Sequence, residues 1–130
     1  MSKRKYVLLI LVFILAIVAV GVVAVIIRNN SIVVKPFNVD EYQEYIEKYP
    51  SDETVGNVDD EKDLVSKAEA ILIEEYGNQI KKQKPYKVFY DETNDVWMVT
   101  GTLPSNMKGG VANIIIDNST GKVLAVWHGK

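Results

Sequence analysis

The chain opens on three cationic side chains, Lys3, Arg4 and Lys5, and then runs from position 7 to 27 without one charged or strongly polar residue. As a helix, those residues would rise about 31 Å, which matches the hydrocarbon core of a bilayer. The run is apolar all round, not along one stripe, so it does not suit a buried helix of a soluble protein. The pattern predicts an uncleaved transmembrane anchor over 1–28. Only Arg28 and Lys35 follow closely behind it. The N-terminus is therefore expected in the cytoplasm and the rest of the chain outside it, held at the cell membrane by a single pass. A cleaved signal peptide is the rival reading. Its apolar core is usually shorter, and the one small-x-small match, Ala19-Val20-Gly21, lies inside the run.

Beyond the run the period of the pattern changes twice. Residues 29–38 read as a short tether containing Pro36. Over 39–49, Val39, Tyr42, Tyr45, Ile46 and Tyr49 fall near one face of a helix, with Asn38 as its N-cap and Pro50 as its stop. A polar loop over 51–57 leads to a longer helix, predicted over 59–79. There Leu64, Ala68, Ile71, Leu72 and Tyr76 make one apolar stripe. Gly77 and Asn78 begin its end, and Pro85 forbids continuation. After Pro85 the period shortens to two. Strands are predicted over 86–90, 96–103, 111–117 and 122–128, joined by turns at 91–94 and 118–121. A loop over 104–110 carries Gly109-Gly110, where the backbone is expected to need positive φ. Short links favour an antiparallel meander.

Helices first and strands second give an α+β class. The expected architecture is an N-terminal transmembrane helix, then two helices on the concave face of a curled four-stranded antiparallel sheet. Trp97 and Trp127 are expected to pack against the stripe of the long helix. The domains read as an anchor over 1–28, a tether with an acidic helix over 29–57, and an α+β domain over 58–130.

Charge divides the 130 residues unevenly. Residues 1–28 carry +4, whereas 29–130 hold eleven lysines against 17 acids, a net −6. An acidic domain of this kind is a poor nucleic-acid binder, and none is expected as a partner. The chain has no Cys, which removes disulfides, thiolate zinc sites and cysteine nucleophiles. One His, at 128, removes multi-histidine metal sites and most triads. No catalytic residue, cofactor or metal site is expected.

What remains for function is modest. His128 can be a general base or a solvent-facing strand end. Ten acids lie between Asp40 and Asp63, with Lys48 and Lys62 as the only bases. Within them, Asp59, Asp60, Glu61 and Asp63 lack the spacing and the glycine of a calcium loop. They read as an acid-rich helix start, and they are the candidate partner-binding residues, since an acidic surface would steer a basic protein. Gly109-Gly110 is not a phosphate loop, because neither GxGxxG nor GxxxxGK is present.

The C-terminal half carries a resemblance. "VW-V-GTLP" over 96–104, "GGV" over 109–111, the "I-I---GKVL" hairpin, and the closing His128-Gly129-Lys130 occur in order. "A-AI---YG" over 68–77 and Lys84-Pro85 precede them. Together they resemble bacterial immunity proteins with the fold of nuclear transport factor two, which accompany polymorphic toxin systems. Ala112-Asn113 departs from the pattern, where a proline and an aromatic are expected. The resemblance implies a cone-shaped fold and a protein that neutralises a cognate toxin by binding it. It supplies no catalytic motif and no contact residues. A membrane-anchored accessory module resembling peptidase-inhibitory domains is the alternative, since their hairpins also read "D--TGKVL". A small enzyme using the cone's pocket is a third reading, with Tyr76, Tyr90 and Asp95 as its candidates.

Overall fold

The computed structural model describes residues 31–129. The anchor, its orientation and the signal-peptide site fall outside the described residues. Among the described residues, no helix is long and apolar enough to cross a membrane.

Four strands form the expected meander: β2 (Lys87–Asp91), β3 (Val96–Thr100), β4 (Val111–Asp117) and β5 (Val123–Gly129). A fifth, β1 (Val34–Pro36), pairs in parallel with β2, so the sheet is mixed and five-stranded in the order β1-β2-β3-β4-β5. This corrects the expected four-stranded antiparallel sheet. Three residues are too few for alternation to show, and Pro36 speaks against a strand. At a sheet edge its missing N–H removes no ladder bond. Val34 lies opposite Val88 and joins the core there.

The helices also differ from expectation in extent and placement. Asn38 caps as predicted, its Oδ1 accepting from the Asp40 N–H at 3.0 Å. A 3-10 helix, Val39–Tyr42, then passes into α1 (Gln43–Lys48), in place of one helix over 39–49. The long helix, α2 (Glu61–Tyr76), stops at Gly77, whose φ of 91° suits only glycine. The chain continues as a second 3-10 helix, Asn78–Gln83.

The helices do not share the concave face; they cover opposite faces of the sheet. On one side α2 buries Leu64, Ala68 and Leu72 against Val88, Val99, Ile114 and Ile116. On the other, Val39, Tyr42, Tyr45 and Ile46 cover Met98, Ile115, Ala125 and Trp127. The cause is in β4, where Ile114, Ile115 and Ile116 are consecutive and all fully buried. Successive strand residues point to opposite faces, so both faces need a cover. Trp97 packs on the α2 side as expected. Trp127 does not; it lies on the α1 side, stacked on Tyr45 with ring centroids 4.7 Å apart.

Three features tie these layers together. Ile115 pairs with Ala125 but Ile116 with Val123, so Leu124 is an extra residue in β5, and such a bulge adds to the twist that curls a sheet. Residues 49–55 run along the outer edge of β5. Val126 N–H donates to Tyr49 O at 3.2 Å, Val123 N–H to Glu53 O at 3.0 Å, and Val55 N–H to Gly121 O at 2.8 Å. Finally, the buried carboxylate of Asp91 accepts the Val39 N–H at 2.8 Å and both the N–H and the Nδ2 of Asn94. The Val39 N–H, helped by Asn94, holds the Asp91 carboxyl below the usual carboxylate range.

Candidate functional site

Where β3 ends, β4 begins and β5 ends, the chain makes a concave site of about 250 Å³. Its assembly starts with Gln83, the last residue of the second 3-10 helix. The Gln83 side-chain Oε1 accepts from the Ala112 N–H at 2.8 Å, and its Nε2 lies 3.2 Å from His128 Nε2. Its backbone carbonyl accepts from the Thr102 N–H at 2.7 Å. One residue thus joins β4, β5 and the segment that follows β3. Gly101 makes room for it, since a Cβ at 101 would sit 2.2 Å from Gln83 Oε1. Gly110 is needed for a similar reason: a Cβ there would meet the backbone of Gly129 at 2.1 Å. Thr102 Oγ1 donates to Pro85 O at 2.6 Å, which fixes the course of the following loop.

That loop brings Leu103, Pro104 and Met107 to one wall of the cleft. Leu103 and Met107 are 39% and 52% exposed, so they are two of the four large apolar side chains that the described residues leave exposed. Lys82 and Lys108 are also at the wall, and His128 closes it, with the Tyr76 ring edge-on at 5.5 Å. Among the described residues, no acid lines the cleft. Gly109 takes φ of 123°, the positive φ expected in this loop.

The acids predicted to bind a partner gather at the other end of α2. Asp60 is the N-cap, and its Oδ1 accepts from the Asp63 N–H at 2.8 Å. Asp63 accepts in return from the Asp59 N–H at 2.9 Å and from Lys67 Nζ at 2.9 Å. The Asp59 N–H and the Lys67 ammonium hold the Asp63 carboxyl below its ordinary value. Asp59 takes a hydrogen bond from Asn57 Nδ2 at 3.1 Å. Asp60 and Asp63 are thus engaged in capping, whereas Asp59 and Glu61 lie exposed beside them. A 16-residue helix is about 24 Å long, so the acids and the cleft are separated by roughly that length.

The enzyme candidates are also divided. Tyr90 donates to Asp95 Oδ1 at 2.5 Å, and Asn118 Nδ2 donates to the same oxygen at 2.9 Å. Trp97 Nε1 in turn donates to Asn118 Oδ1 at 2.9 Å. Hydrogen bonding to the Asp95 carboxylate raises the Tyr90 phenol above its ordinary value. This network locks the β2–β3 and β4–β5 turns together around Asp95, whose φ is 55°. Tyr76 sits at the opposite end, beside His128. The three do not form one site.

The segments on which the family resemblance rests therefore meet in space. The 101–104 loop, Gly109-Gly110 and His128 are far apart in sequence and border one cleft. A family model described as NTF2 fold immunity protein, NTF2 being nuclear transport factor two, matches residues 65–130. The chain belongs to this immunity protein family. No curated protein and no solved structure matches the chain. The α+β arrangement of helices on a curled sheet suits the family's fold. The family match takes in every lining residue of the cleft and starts after Asp63. Sequence reasoning missed the cleft's cations and its apolar loop. Leu103 and Met107, apolar between Gly and Pro punctuation, were the available signal; nothing local marked Gln83.

Proposed function

We propose that this chain is an immunity protein that binds a cognate toxin domain and blocks it. The observation that carries the reading is the convergence of the family's separated motif segments on one concave, partly apolar surface within the matched region. Exposed apolar side chains rimmed by polar ones are what a protein-binding surface presents. A cleft of about 250 Å³ is below the range of roughly 300–1,000 Å³ common for small-molecule sites. It suits one or two side chains of a protein better than a substrate. Two surfaces carry local charge of opposite sign: the start of α2, with Asp59, Asp60, Glu61 and Asp63, and the cationic cleft, and the sign of the partner's surface decides between them. The apolar run over 7–27 supports a membrane anchor, and the N-terminal cations support a domain outside the cytoplasm. The toxin is then met at the membrane or the wall.

The test is co-expression of the full chain with the toxin domain encoded beside it. Growth restored by the chain, together with a stable complex of the two purified proteins, is the expected result. Continued killing at matched expression would refute the reading. Protease added to wall-stripped cells should digest the chain after residue 29; protection until lysis would reverse the orientation.

A further inference from the structure

We infer that the cleft bounded by Lys82, Leu103, Met107, Lys108 and His128 is where the partner docks, and that it receives an acidic segment carrying an apolar side chain. The inference rests on the toxin-binding reading and names the chemistry of the partner.

Charge complementarity decides the sign. Residues 29–130 carry a net −6, yet 78–90 hold four lysines and no acid. Lys82 comes from that stretch and Lys108 from the 104–110 loop, so two cations from separate segments border one concavity whose lining, among the described residues, contains no acid. The cleft is a cationic spot on an acidic domain. Such a spot attracts a local cluster of acids and repels a basic partner. The apolar part is equally local. Leu103 and Met107 stand exposed with Pro104 between them, and covering them gives an approaching apolar side chain area to bury. The base is rigid, because Gln83 ties the 3-10 helix to β4 and approaches His128, and Gly110 lies against Gly129. A preformed site loses less entropy on binding than one that must order itself. The acidic start of α2 does not line the cleft, and Asp60 and Asp63 are spent on capping.

The experiment uses the full chain in nanodiscs and the toxin domain encoded beside it as the probe. Zero-length carbodiimide coupling joins amines to carboxylates in contact. It is expected to link Lys82 or Lys108 to an Asp or Glu of the toxin. The Lys82→Glu/Lys108→Glu double variant should weaken binding by about tenfold or more, mainly through a slower on-rate. Leu103→Ala/Met107→Ala should weaken it by about tenfold through a faster off-rate. Asp59→Lys/Glu61→Lys should change it by less than about twofold. Unchanged melting temperatures confirm that these exposed positions leave the fold intact. Wild-type binding that is indifferent to both cleft variants, or cross-links from Asp59 or Glu61 to toxin lysines, would overturn the inference while the immunity reading stands. Protection of Lys82 and Lys108 from acylation by phosphatidylglycerol nanodiscs, and not by toxin, would assign the cleft to lipid and overturn it as well. A wild-type chain that neither binds nor protects would overturn both readings.

Discussion

The two faces of the sheet are built from different materials. The centre of the α2 face is aliphatic: Leu64, Ala68 and Leu72 meet valines and isoleucines, all fully buried or nearly so, with Trp97, Tyr76 and Tyr86 at its margin. The α1 face is aromatic. Tyr42 and Tyr45 lie over Trp127, Phe37 contacts both Tyr42 and Phe89, and a buried carboxylate, Asp91, holds the helix start by its Val39 N–H. An aliphatic centre is held by area and tolerates small shifts. An aromatic face with a buried acid is held by geometry, because ring stacking and the carboxylate's hydrogen bonds both need fixed positions.

The largest expected effects fall on the central side chain of each face. Trp127→Ala should destabilise the domain by about 3–5 kcal/mol in denaturant melts. The loss should be partly shared with Tyr45: a double-mutant cycle should give a coupling of about 0.5–1.5 kcal/mol. No coupling would reduce the aromatic face to buried area, like its opposite. Leu72→Ala should cost about 2–5 kcal/mol, and Leu72→Met, which keeps volume, less than about 1.5 kcal/mol. A large loss from the Met variant would show the aliphatic face to be as exacting as the aromatic one.

Smaller effects test the ends. Asp60→Ala removes the cap of α2 and should cost about 1 kcal/mol by thermal melts. Asp91→Asn keeps shape but not charge, and its Nδ2 cannot accept the hydrogen bonds that both carboxylate oxygens take, so it should destabilise the domain at neutral pH as well. Its signature is in acid. The Asp91 carboxyl is held below its usual range when folded, against about 3.9 when unfolded. Its stabilisation is therefore complete above the unfolded value and is lost as pH falls through the folded one. The wild-type chain should lose stability below about pH 4 more steeply than the Asn variant. Asp117, also held low by Ser119 and Thr120, keeps part of that slope in both. Identical acid profiles would remove Asp91 from the account.

What the sequence revealed follows the range of the interactions. The turns, the Asn38 cap, the acid-rich start of α2 and the glycine that ends it rest on neighbours within a few positions and were legible, although the helix covers Glu61–Tyr76 and not 59–79. The placement of Trp127 was not. Trp97 pairs with Ile116 and Trp127 with Asn113, three positions apart along β4, which sends the two rings to opposite faces. Both lie in strands of the same character, and only register separates them. β1 was hidden because its reason to exist is a parallel partner more than fifty positions away. The cleft was half legible. Its glycines and its 101–104 loop stood out through the family resemblance, but Gln83 acts through contacts with Ala112 and His128 that no local pattern announces.

The strap over 49–55 has a consequence for how the protein fails. β5 is the last strand of the sheet, and its core reads Val-Leu-Ala-Val-Trp over 123–127 without a charge. Such a strand, once uncovered, is a template on which a second chain can add. Tyr49 and Glu53 occupy that row with their carbonyls. The strap is therefore a gatekeeper: when heat or a protease frees it, aggregation begins at β5 before the core has melted.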